Sequence, residues 1–314
     1  MTDQPSKMII TPPDNAAAAG GVELEATSQL LRPGRMLLGW LAQEHGEALL
    51  ASQTGGELTG QQREQVRRAH AAVADRPKDI DQTGLITELP AELAEHLARL
   101  QTLPAGASML QEGWQAEMVD LTRVCAFQPW VGASSAADRM DGLLADDLPA
   151  IAEITLPTSP TPTPVRCRFD QAKQVYTIVS PNPNLQVLRP LDQLQVSPDG
   201  APGFGFVVAA PMSFLQIARF QGRWFARDGY HRAVGLLARG ISRVPAFVRD
   251  LDTIEATIEA LVPPKIQSGM LPQGAYLGAR PPVLADYHDD TVAVSARMPV
   301  QQKVILVQAL EHFV

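Results

Sequence analysis

The chain has 314 residues, of which 45% are hydrophobic and 5% aromatic, and its 34 acidic against 26 basic side chains give a formal net charge of -8. That apolar fraction supports a core and excludes a wholly disordered chain, while no run approaches the roughly 18 apolar residues of a membrane-spanning helix. The acidic balance argues against extended nucleic-acid binding, which needs several basic phosphate contacts, but leaves room for a small basic pocket.

Two cysteines, Cys125 and Cys167, cannot build a disulfide framework and sit in no metal-ligand spacing. The N-terminus lacks the apolar core of a secretory signal. Both features point to a cytoplasmic protein without membrane association. The histidines are scattered and form no helix-spaced pair, so neither zinc nor haem is expected. Arginine supplies nearly all the positive charge, a bias that fits a GC-rich bacterial coding sequence and carries no functional weight.

Residues 1–26 mix Pro, Asp and Asn with an Ala-Gly run and read as a flexible tail. A helical region is expected over 27–115. Leu30, Leu31, Met36, Leu37, Leu38 and Leu41 recur at helical intervals. Thr59 and Gln62 have the spacing of a capping box, which predicts a helix over 60–74 stopped by Pro77. Pro90 with Leu93, Leu97 and Leu100 predicts another helix ending near Pro104.

Residues 116–200 read as strand-rich. Strands are predicted at 118–127, 165–169, 175–179 and 185–188, with a turn at 170–173 making a hairpin. A short helix at 139–150 is expected to close at Pro149. The proline run 157–164 reads as a stiff loop and a candidate boundary.

Residues 201–314 give the most ordered pattern. Strands are predicted at 204–210, 223–227 and 244–248, with 214–220 a short helix or strand. Helices are expected at 230–239, where Gly240 supplies the C-cap, and at 253–261. Further strands are expected at 291–296 and 303–307. The 223–248 unit predicts a parallel or mixed sheet.

The segment Arg227-Asp228-Gly229-Tyr230-His231-Arg232 runs from strand through glycine into helix. The first N–H groups of a helix lack internal partners and lie at the positive end of its dipole. Gly229 removes side-chain bulk, so a phosphate can approach Tyr230, His231 and Arg232. His231 and Arg232 add side-chain donors, and arginine grips phosphate in bidentate fashion. Asp228 caps the helix or accepts from a ribose hydroxyl or a metal. Arg219, Arg223 and Arg227 precede it, and Arg223 and Arg227 share a face at period two, either as a pocket rim or as the charged guard of an edge strand. The competing account of 228–232 is an ordinary N-capped helix. The acidic run Asp286-Tyr287-His288-Asp289-Asp290 offers metal ligands or, more simply, a solvated turn.

The box Asp228-Gly229-Tyr230-His231-Arg232, followed by Leu236, Gly240 and Val244-Pro245-Ala246-Phe247-Val248, resembles the signature of the ParB/sulfiredoxin superfamily over about residues 204–250. The resemblance implies an α+β or α/β fold, with the helical N-terminal region followed by a small mixed-sheet domain. It also implies CTP or ATP with magnesium over the helix start, leaving hydrolysis or phosphoryl transfer open, with His231 as acid/base. Tyr230 stands where sulfiredoxins carry their catalytic cysteine, which argues against sulfinic-acid reduction. The other readings are a non-enzymatic protein-interaction module that retains the fold without nucleotide, and a DNA-associated regulator. Neither a second phosphate motif nor a helix-turn-helix accompanies the box.

Overall fold

A computed structural model describes residues 31–132, 140–160, 163–182, 184–195, 202–254, 256–262, 270–299 and 303–308. The expected tail over 1–26 lies outside the described residues. The chain is a mixed α/β fold of several small sheets and short helices.

Its first strand corrects the expectation of an all-helical start. Leu31–Met36 (β1) is extended and pairs antiparallel with both Trp130–Gly132 (β4) and Val294–Pro299 (β12). The Leu/Met spacing satisfies a helical period, but Pro33 lacks an N–H and Gly34 weakens any helix around it. Gly34 also fits a crowded crossing, since a Cβ there would lie 2.3 Å from Met298 Sδ. Helices Gln43–Thr54 (α1) and Gly60–Ala74 (α2) follow. The capping box at α2 forms as expected: Thr59 Oγ1 accepts from Gln62 N at 3.2 Å and Gln62 Oε1 accepts from Thr59 N at 2.8 Å.

The short strand Ile86–Thr87 (β2) lies inside the expected helical region and leads to Ala94–Thr102 (α3). Pro104 does not only end α3. It opens Pro104–Gln111 (α4) at a first-turn position, where its missing N–H costs nothing. Pro149 repeats the lesson. Instead of closing a helix over 139–150, it sits in the first turn of Leu148–Thr155 (α5), and Asp147 caps that turn by accepting from Ala150 N. The strand expected at 118–127 is Gln115–Asp120 (β3). It stops where the Asp120 carboxylate accepts from Thr122 N and Oγ1 and bends the chain into a 3-10 turn.

Arg166–Asp170 (β5) and Val175–Ser180 (β6) form the expected hairpin, and Lys303–Gln308 (β13) pairs on the other side of β6. Gln186–Gln195 (β7) and Pro202–Ala209 (β8) make a separate two-stranded ribbon. The larger sheet contains Gln216–Phe220 (β9), Arg223–Asp228 (β10) and Arg243–Asp250 (β11) in the order β10-β9-β11-β3-β2. Gln221 and Gly222 join β9 to β10 with positive φ at both positions (50° and 76°), the signature of a type I′ turn. The Asp252 carboxylate accepts both turn N–H groups.

Tyr230–Leu237 (α6) carries the chain from β10 over β9 to β11, which runs parallel to β9 and antiparallel to β3. Gly240 ends this helix at φ 75°. Gly240 N donates to Leu237 O and Ile241 N to Leu236 O, the paired bonds of a Schellman cap. The helix expected at 253–261 is reduced to a 3-10 turn at Asp252–Ile254 and the short Ile258–Leu261 (α7); residue 255 lies outside the described residues. Gln273–Tyr276 (α8) precedes β12. That strand starts later than expected because Asp289 accepts from Thr291 N and Oγ1 and holds the turn before it. Ladders β3–β11 and β1–β12 join distant parts of the sequence, and one apolar core runs through Leu50, Leu121, Phe127, Leu215, Phe225 and Phe247.

Candidate functional site

The strand-glycine-helix segment exists, and a bulge sets its geometry. Ala226 pairs with Ile217 but Asp228 with Gln216, so Arg227 is the extra residue. Asp228 Oδ1 then accepts from Gly229 N at 2.7 Å. Gly229 has φ 91°, a region that L side chains rarely adopt, and its carbonyl accepts the first helical bond from Ala233 N. A Cβ at 229 would lie 2.8 Å from Leu215 Cδ1 and 3.3 Å from Arg232 Nη2. The space a side chain would take at this glycine is therefore filled by protein.

The next three side chains all turn inward. Tyr230 is 2% exposed, its hydroxyl accepts from Phe127 N at 2.9 Å, and its ring meets Phe127 edge-on at 5.6 Å. Burial pushes this phenol well above the usual tyrosine range. His231 Nδ1 lies 3.1 Å from Gly132 N and 3.4 Å from Gly132 O, which pins the ring to β4 beside Trp130. Burial of that ring holds its pKa below the usual histidine value and favours the neutral form. Arg232 is 7% exposed. Its Nη1 donates to Ser213 O at 2.8 Å and Ile154 O at 3.2 Å, and its Nη2 to Ser213 Oγ at 3.2 Å.

The surrounding arginines have separate partners. Arg227 donates to Ala260 O and Gln216 Oε1 and lies 5.5 Å over the Trp114 ring. Arg223 donates to the carbonyls of Leu277 and Gly278 and meets Asp79 at 3.1 Å. Arg219 pairs with Asp250 at 3.0 Å, and Arg243 donates to Thr87 Oγ1. Beyond the Arg219–Asp250 pair within β9–β11, these groups reach residues 79, 87, 114, 260 and 277–278 instead of facing one point.

The acidic run is divided in the same way. Asp286 is buried, accepts from Val283 N and pairs with Arg76 at 2.6 Å; burial outweighs that partner and raises its pKa. His288 Nε2 lies 2.9 Å from Val234 O, and Asp290 pairs with Arg35 at 2.7 Å. Among the described residues no cluster of three or more His, Cys, Asp or Glu is placed to hold a metal, and no helix is long and apolar enough to cross a membrane. Cys125 is buried, and that burial pushes its thiol up to about 12.

Gln82 holds the start of β10 without any motif to mark it. Its Nε2 donates to Arg123 O and Trp224 O, and its Oε1 accepts from Trp224 N at 2.8 Å. Beside it, Cys125 N donates to Trp224 O and Ala226 N to Cys125 O. Together they cover the outer edge of β10. A lone glutamine in a polar loop carries no local signal of that role. Elsewhere, a groove of about 510 Å³ lies between Gln65, Arg68 and Ala72 of α2 and residues 290–295. No protein-family model, curated protein or solved structure matches this chain.

Proposed function

We propose that the chain is a non-enzymatic protein-interaction module of ParB/sulfiredoxin-like type, in which the 228–232 box binds no nucleotide and organises the fold. Arg232 carries this reading. The group that would grip phosphate is buried and donates instead to three acceptors on α5 and the segment before β9. Its release would leave two part-buried carbonyls without that donor. Tyr230 and His231 are likewise held by backbone groups of residues 127 and 132. A role in binding protein is supported by the exposed apolar side chains of the outer sheets, among them Phe169, Tyr176, Leu188 and Phe206.

Thermal shift tests this directly. CTP, ATP and GTP, each with Mg²⁺ at millimolar concentration, should leave the melting temperature unchanged. A rise with any one of them that Arg232→Ala abolishes would overturn the reading by linkage, and would restore CTP or ATP as ligand and His231 as candidate acid/base. Salt-sensitive retention of a DNA fragment would favour the DNA-associated alternative.

A further inference from the structure

In the sheet β13-β6-β5 the two faces of the edge strand β5 differ. Register places Cys167 opposite Ile178 and Phe169 opposite Tyr176, with Ile305 and Val307 beyond them on the same face. None of these six side chains is charged. The Phe169 and Tyr176 rings stack at 4.4 Å yet remain 42% and 47% exposed. On the opposite face β5 carries Arg166, Arg168 and Asp170. It is an edge strand, exposed from residue 166 to 169, and its outer backbone groups have no strand partner among the described residues.

We propose that β5 docks a second copy of this chain, edge to edge and antiparallel about a two-fold axis. Edges guarded against self-pairing carry like charges, so that a second copy is repelled. On β5 the row ends in Asp170, which reverses the effect. A two-fold pairing that keeps the apolar faces continuous must place a residue opposite its own copy. Centred on Arg168, it pairs Arg166 with Asp170 twice but sets Arg168 against its own copy at the centre of the pairing. Centred on Phe169, it pairs the two Phe169 rings and sets Arg168 opposite Asp170 of the second copy, twice, with no like charges opposed. The second register is the one assigned. It joins two three-stranded sheets into one of six strands and doubles the apolar face. Pairing strands this short buries less than the roughly 1,200 Å² of a standard stable interface, so the dimer is weak and depends on concentration. None of residues 228–232 takes part, so the surface stands whether or not that box binds a ligand.

Sedimentation equilibrium on the full chain, from about 1 to 300 µM, decides it. The expected result is a monomer–dimer equilibrium with a dissociation constant of roughly 10–100 µM. Arg168→Asp opposes like charges at both ends of the pairing and should weaken it roughly tenfold. The double swap Arg168→Asp with Asp170→Arg restores opposite charges and should return the constant to near the wild-type value, a rescue that loss of folding cannot produce. A wild-type mass that stays at 33.9 kDa throughout overturns the proposal. So does an Arg168→Asp variant that dimerises like the wild type, or a double swap that fails to rescue.

Discussion

Arg232→Met keeps the aliphatic reach of the side chain and removes only the guanidinium. Two carbonyls, Ile154 and Ser213, lose a donor, while the Ser213 hydroxyl can rotate to another partner. At 7% exposure the site admits little water to replace the lost bonds. Each orphaned carbonyl costs about 1–2 kcal/mol, so the change should cost about 3 kcal/mol. For a chain of 314 residues that lowers the melting temperature by about 4–5 °C. Differential scanning calorimetry at pH 7, with circular dichroism to confirm folding, measures it. A phosphate-gripping arginine predicts the opposite. Uncompensated positive charge at the helix start would strain the unliganded protein, and removing it would leave the melting temperature unchanged or raised. A variant melting within about 1 °C of wild type would therefore refute the structural role of Arg232.

Three more outcomes follow from the same packing. Gly229→Ala should cost about 2–3 kcal/mol through both positive φ and contact with Leu215, whereas Gly222→Ala, with φ 76° and open space around it, should cost only about 1 kcal/mol; equal urea midpoints would sink the packing argument. Because the His231 pKa is lowered on folding, the unfolded chain takes up that proton first, so this group's contribution is complete above about pH 6.5 and is lost on acidification. His231→Phe should flatten the fall in stability between about pH 7 and 5, and an unchanged slope would contradict it. With a disulfide reagent at about pH 8 and low micromolar protein, exposed Cys167 should react at once and Cys125 only after denaturation. Rapid reaction in a Cys167→Ser variant would show Cys125 to be accessible.

What was legible in the sequence was local. The capping box at Thr59 and Gln62, the β5–β6 hairpin, the helix end at Gly240 and the strand-glycine-helix at 228–232 each depend on a few neighbouring residues whose backbone demands are specific. The readings that failed depended on distant partners. β1 satisfies a helical period, yet its partner β12 lies more than 250 residues away. Pro104 and Pro149 look like stops in the sequence because proline ends a helix as readily as it starts one, and only the packing of the following turn decides which. The candidate site divides along the same line. The sequence placed Arg232 at a helix start, but its direction is set by Ser213 and Ile154, 19 and 78 residues away.

The cover on β10 has a consequence for local opening. The Trp224 amide is held by the side chain of Gln82, not by a neighbouring strand. Arg223 fixes the start of the same loop through Asp79. Detaching residues 79–84 would free that amide while leaving the β9–β10 ladder closed. Solvent exchange at Trp224 therefore reports release of the loop, on a timescale separate from unfolding of the sheet. Cys125 keeps its two bonds to that edge while the loop is away, so the hold of one glutamine governs the exposure of a single amide and not of the whole strand.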